Sequence, residues 1–197
     1  MKFSRSMSCA AAVTVAAATL AGCHSLPALH YYALDAVAPV AGPAPPGFAN
    51  LLHIRHLSVP HEMDHLGLTH HLGATQLAIS DTDQWSAPLT DLLQGTLTRD
   101  LGARLGFEHL LAPDALPAAA GNTVAALDLD FVTLSADDSC AIEAQVNWTL
   151  SVPGSPARHG TVPLMASATG CPAGMPAALS TALGTLADQL ASQFRTP

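Results

Sequence analysis

The 197 residues are enough for one ordinary domain with its own core and hardly for two. Seven lysines and arginines against fifteen aspartates and glutamates give a formal charge of −8. Such a surface repels phosphate, which excludes nucleic acid as a partner and excludes adhesion to anionic lipid by charge.

Lys2 and Arg5 form a short positive start, and the small apolar run Met7 to Leu20 is too short to span a bilayer as a stable helix. Residues 1–22 therefore read as a secretory signal. The ending Leu20-Ala21-Gly22-Cys23 resembles the bacterial lipobox, in which the cysteine thiol takes a diacylglycerol and the peptide is cut just before it. Cys23 is then the lipidation site and first mature residue, held by acyl chains worth about 0.8 kcal/mol per buried methylene. Loss of Lys2 and Arg5 leaves five arginines against fifteen acidic residues, a net charge of −10, so membrane contact is expected through the acyl chains. His24 stands where lipoproteins kept in the inner membrane often carry Asp, and the resemblance implies the outer membrane.

Residues 23–47 carry Pro27, Pro39, Pro43, Pro45 and Pro46 among small residues, the composition of a semi-rigid tether. If extended, His24 to His30 reaches about 20 Å. One β-prone run, Tyr31-Tyr32-Ala33-Leu34, interrupts it. The folded domain is expected over 48–197.

Asn50 to Val59 reads as a strand ended by Pro60. Leu66 to Leu72 and Thr75 to Ser80 read as short strands around a turn at Gly73, followed by a polar loop, Asp81-Thr82-Asp83-Gln84. A helix is expected after Trp85, with Ser86 as N-cap and Pro88 in the first turn. Leu89, Leu92, Leu93, Leu97, Leu101 and Leu105 recur on one of its faces, and Gly106 stops it.

Val124 to Leu134 is a strand with Leu127, Leu129 and Phe131 on the core face and Asp128 and Asp130 on the wet one. In Ala141 to Leu150, Ile142, Val146, Trp148 and Leu150 alternate with Glu143, Gln145, Asn147 and Thr149. After a turn-rich stretch, Thr161 to Thr169 is expected to return as the second arm of a hairpin. A register pairing residues whose numbers sum to 311 sets Cys140 opposite Cys171 and Trp148 opposite Pro163. It also places Leu164, Ala166 and Ala168 on the face of Glu143, so the apolar pattern prefers a one-residue slip or a bulge. Cys140 and Cys171 are the remaining pair in an oxidising compartment, where a disulfide is expected, with two separate thiols as the alternative.

A last helix from Pro176 to Phe194 carries Leu179, Leu183, Leu186, Leu190 and Phe194 on one face. The expected fold is α+β, a single domain with a mostly antiparallel sheet and two main helices on one face.

His61-Glu62-Met63-Asp64-His65 matches H-E-x-x-H, in which two histidines one helical turn apart hold zinc and the glutamate activates water. His71 falls where a third ligand would stand. However, the longer pattern needs glycine at position 68, where this chain has Leu68, and Pro60 to Gly67 leaves barely two turns with no apolar stripe. The segment is rich in histidine (His53, His56, His61, His65, His70, His71), which raises the odds of coincidence. The bland reading is a polar surface whose charge changes below about pH 6.5. No G-x-S-x-G elbow or glycine-rich phosphate loop is present. Neither catalytic residues, a metal nor a cofactor is expected; a small tethered zinc hydrolase is the rival enzyme reading, and an envelope assembly lipoprotein the rival from another class.

The lipobox, Tyr31-Tyr32-Ala33-Leu34, the strand Ile54 to Pro60 leading into His61 to His65, and Trp85-Ser86-Ala87-Pro88-Leu89 opening a helix come in an order that resembles the ABC-type transport auxiliary lipoproteins, the PqiC/YmbA-like family. Val59, Pro60, Asp64, Trp85, Pro88 and Leu89 fit the family pattern. Glu62, Met63 and His65 depart from its usual tyrosine, leucine and arginine. The resemblance implies a non-catalytic periplasmic α+β domain anchored in the outer membrane, working beside an MCE-domain (mammalian cell entry) protein and an ABC transporter to move lipid between membranes. It also implies ring-like homo-oligomers and a role in envelope integrity.

Overall fold

A computed structural model describes residues 27–40, 50–112 and 124–194. The signal 1–22, Cys23 and the parts of the tether at 23–26 and 41–47 lie outside the described residues. The strands are β1 (His30–Tyr32), β2 (Leu51–Ser58), β3 (Gly67–His71), β4 (Leu77–Trp85), β5 (Val124–Ala136), β6 (Ala141–Ser151) and β7 (Arg158–Ser167). The helices are α1 (Leu89–Leu105) and α2 (Met175–Phe194). This is the α+β class expected, but with two sheets rather than one: β1-β4-β3 and β2-β5-β6-β7. Each contains one parallel pair, β1 with β4 and β2 with β5, and the other three pairings are antiparallel.

Alternation builds the larger sheet's core face. Leu52 and Ile54 of β2 stand beside Ala125 and Leu127 of β5, and Leu127, Leu129 and Phe131 stand beside Leu150, Trp148 and Val146 of β6. All are buried. A bulge between Phe131 and Thr133 turns Val132 out and lets Leu134 and Ala136 rejoin the buried face. Both helices lie on this face, Leu89, Leu93, Leu97, Leu101 and Leu105 from α1 and Leu179, Leu183, Leu186, Leu190 and Phe194 from α2. Asp128 and Asp130 stay on the wet side, where Asp128 pairs with Arg55 and Asp130 accepts from Ser58.

Three local expectations are corrected. Residues 81–84 are not a loop but the end of β4, because β1 lies parallel to them with His30, Tyr31 and Tyr32 beside Asp83, Gln84 and Trp85. Ser86 does not cap α1: the helix begins after Pro88, without a side-chain cap, and the Pro88 carbonyl accepts from Asp91 and Leu92, while the Ser86 N–H donates to the Tyr32 carbonyl at 2.8 Å and extends the link to β1. The hairpin register sums to 308, so Trp148 stands opposite Gly160 and Pro163 opposite Gln145. This odd slip puts Ile142, Ala144 and Val146 beside Ala166, Leu164 and Val162, which removes the conflict of faces. Pro163 is tolerated because β7 is an edge strand.

The Trp148 indole extends under Gly160 and meets Phe194 edge-on at 5.9 Å. A Cβ at Gly160 would stand 2.9 Å from the indole. Gly160→Val is therefore expected to destabilise by about 1–3 kcal/mol through overpacking, read as a lower urea midpoint at unchanged slope.

Candidate functional site

Residues 32–39, grouped by composition with the tether, lie against the domain as a strap across both helices. Leu34 is buried, its carbonyl accepts from Arg99, and the Asp35 N–H donates to Ser180 Oγ at 3.1 Å. The Val37 N–H donates to Asp100 Oδ1 at 2.8 Å. Gly184 makes this approach possible, since a Cβ there would come within 2.8 Å of the Val37 Cβ.

Arg104 closes the crossing. Its side chain is 3% exposed, and all five N–H groups are used. Nε and Nη2 hold the Asp188 carboxylate in a fork at 2.8 and 3.1 Å. Nη2 also donates to the Gly184 carbonyl, and Nη1 donates to the carbonyls of Val37 and Asp100. One guanidinium thus ties α1, α2 and the strap, and its planar fork fits this role better than a lysine ammonium could.

Asp100 is fully buried, 3.5 Å from Arg104 Nη1, and its Oδ2 has no hydrogen-bond partner. Burial raises its pKa, only partly offset by the Val37 N–H and by the charges of Arg104 and Arg99. Asp83, at the β1 end of the strap, shifts the other way. Ser80 Oγ donates to it and holds its pKa down, with Tyr32, Thr82 and His30 adding to the effect.

The H-E-x-x-H segment forms a turn, with Met63 N–H to the Pro60 carbonyl and Asp64 N–H to the His61 carbonyl. Met63 is buried while His61, Glu62 and His65 are exposed. His71 is on β3, beside an open cleft of about 250 Å³ shared with Ser135, Asp137 and Glu143. Among the described residues, no three His, Cys, Asp or Glu gather as a metal would require.

Cys140 occupies the turn between β5 and β6 at a φ of +62°, and Cys171 follows β7. They are not cross-strand partners, yet their sulfurs lie within bonding distance, with a Cα separation of 5.2 Å. Among the described residues, no helix is long and apolar enough to cross a membrane.

The chain belongs to the family of ABC-type transport auxiliary lipoprotein components, whose model matches residues 32–191, from the end of β1 into α2. Among solved structures, an uncharacterized protein is similar at 18% identity and a TM-score of 0.63, over 85% of this chain and 99% of that one. Protein XCC0632 from Xanthomonas campestris, of the DUF330 family, is similar at 20% identity and a TM-score of 0.60, over 83% of this chain and 94% of that one. These likenesses concern the fold, which fits a PqiC/YmbA-like family. No match is found among curated proteins.

Arg104→Met removes the charge that Asp100 and Asp188 share. The expected loss is about 3 kcal/mol, the lower end for a broken buried pair because Asp188 is 36% exposed. Urea titrations of wild type and variant check it.

The two aspartates should also give opposite pH slopes. Asp100 has a raised folded pKa, so its contribution is largest at low pH and is lost as pH rises through that value; stability of Asp100→Asn relative to wild type therefore falls as pH drops from 7 toward 4. Asp83 has a depressed pKa, so its contribution is present at neutral pH and lost on acidification; stability of Asp83→Asn relative to wild type rises as pH drops below about 4.

Proposed function

We propose that the chain is exported, acylated on Cys23 and held on the periplasmic face of the outer membrane. There it serves as a non-catalytic docking component of an ABC-type intermembrane lipid transport system. Its partners are an MCE-domain protein and the transporter, with copies of itself as a homo-oligomer, and its work supports envelope integrity. The observation that carries this reading is the family match over residues 32–191, joined to a lipobox that ends nine residues before the match begins.

The geometry fits a part that transmits position rather than one that performs chemistry. A pull on an anchored N-terminus reaches β1 first and then the strap, whose grip through Val37, Asp100 and Arg104 leads into both helices. The domain is then carried close to the bilayer. A zinc hydrolase is disfavoured because His61, Glu62 and His65 are exposed on a turn instead of being aligned on a helix. Without a histidine tag, the purified protein is expected to hold no stoichiometric zinc, and Glu62→Gln is expected to change nothing. Zinc lost on mutating His61 would overturn the reading.

Cys23→Ser is expected to move the protein out of the membrane fraction and abolish recovery of an MCE-domain partner from membrane extracts. Continued membrane residence and undiminished envelope function would contradict the proposal.

We also propose that Cys140 and Cys171 are oxidised in the mature protein. Their separation of 31 residues predicts that Cys140→Ser lowers stability by about 2–4 kcal/mol. Mass spectrometry after alkylation of unreduced wild type is expected to find neither thiol free.

A further inference from the structure

Apolar surface is unevenly distributed. Among the exposed large hydrophobic residues described, Leu29, Tyr31, Leu66, Leu72, Leu77 and Ile79 all lie on the small β1-β4-β3 sheet or the segments that flank it. The register explains why several act together. Tyr31 stands beside Gln84, Gln84 beside Gly67, Ile79 beside Thr69 and Leu77 beside His71, and partners across a ladder share a face. Leu68 is fully buried on the opposite face. Thr69, beside Ile79, is itself covered, while Tyr31, Ile79 and Leu77 stand out on the side away from Leu68 at 64%, 48% and 36% exposure. Gly67 keeps this face flat, because Ile79 Cγ2 lies over it where a Cβ would be 2.7 Å away.

The position of this face in the chain suggests what covers it. Tyr31 belongs to β1, and Cys23 precedes His30 by seven residues, a span of at most about 25 Å in any conformation. We infer that the outward face of the β1-β4-β3 sheet docks on the interfacial layer of the bilayer that holds the acyl chains, with Tyr31, Leu77 and Ile79 as its contact residues. The inference rests on acylation of Cys23. Neither residues 27–40 nor 60–88 contain lysine or arginine, so the contact is apolar and differs from a polybasic attachment. Affinity too weak to bind a free domain suffices here, because so short a tether holds the face at an effective concentration of the order of millimolar. The anchor and the face together make two membrane signals, and the domain lies against the membrane in one orientation instead of swivelling.

The test uses the full acylated protein in phosphatidylethanolamine/phosphatidylglycerol vesicles, with and without bromine on the lipid acyl chains. A tryptophan is introduced as Ile79→Trp, as Leu77→Trp or, for control, as Phe107→Trp, an exposed site beyond the C-terminal end of α1. The native Trp85 and Trp148 are buried and provide a common background. Brominated lipid is expected to quench the added emission severalfold more in Ile79→Trp and Leu77→Trp than in Phe107→Trp, with little change at about 0.5 M salt, where charges are screened beyond roughly 4 Å. Equal quenching at the three positions, on protein whose Cys23 acylation is proven by mass, would overturn this inference and leave the anchor standing. Shielding of Ile79→Trp from aqueous acrylamide without quenching by brominated lipid would overturn it in favour of a protein on the same face. An unacylated Cys23 would sink both the inference and the function it rests on.

Discussion

The placement of the N-terminal segment on the domain depends on one guanidinium. Arg104 reaches from α1 to α2 and to the strap at once, and each of its N–H groups ends on a carbonyl or on Asp188. A buried cation is expensive to desolvate, and it persists because every donor is satisfied and a carboxylate is forked against it. The apolar stripes of the helices would pack against the sheet without it. What it adds is a fixed place for Val37, and with Val37 the direction in which the N-terminus leaves the domain.

Direction matters under the proposed role, in which a partner is met from an anchor. A domain on a loose tether samples all orientations, whereas a strapped one presents the same sheets and edges whenever it is held. The polar knot around Asp83 adds a second fixing point before the strap, through Tyr32, Ser80 and Thr82. Together the two points make residues 30–37 part of the folded body, consistent with a family match that starts at residue 32.

Much of this was legible in the sequence because burial writes itself as spacing. The leucines of α1 and α2 and the alternation of β5 and β6 each gave an element of the right kind in nearly the right place. Signals that depend on distant partners were not legible. Asp81 to Gln84 read as a loop because nothing local announces β1, which pairs from 53 residues earlier. For the hairpin two signals compete: a register that sets the two cysteines opposite each other, and apolar faces that prefer an odd slip; the faces prevail, with a slip of three residues instead of one. The strap is not legible in the sequence because its contacts are mostly backbone groups meeting side chains from both helices. Two hints were available. Thr96, Asp100 and Arg104 recur every four residues beside the leucine stripe and are all buried, and Asp188 is the lone charge in the 20 residues of α2.

The central claim is that the N-terminal segment is locked to the helices through Asp100 and Arg104. Amide hydrogen exchange of the folded protein at the Val37 N–H, which is bonded to Asp100, measures this directly. The account predicts that Val37 exchanges as slowly as the interior of α1, opening only with the whole domain. Exchange at the rate of an unprotected loop amide, while α1 stays protected, would contradict it.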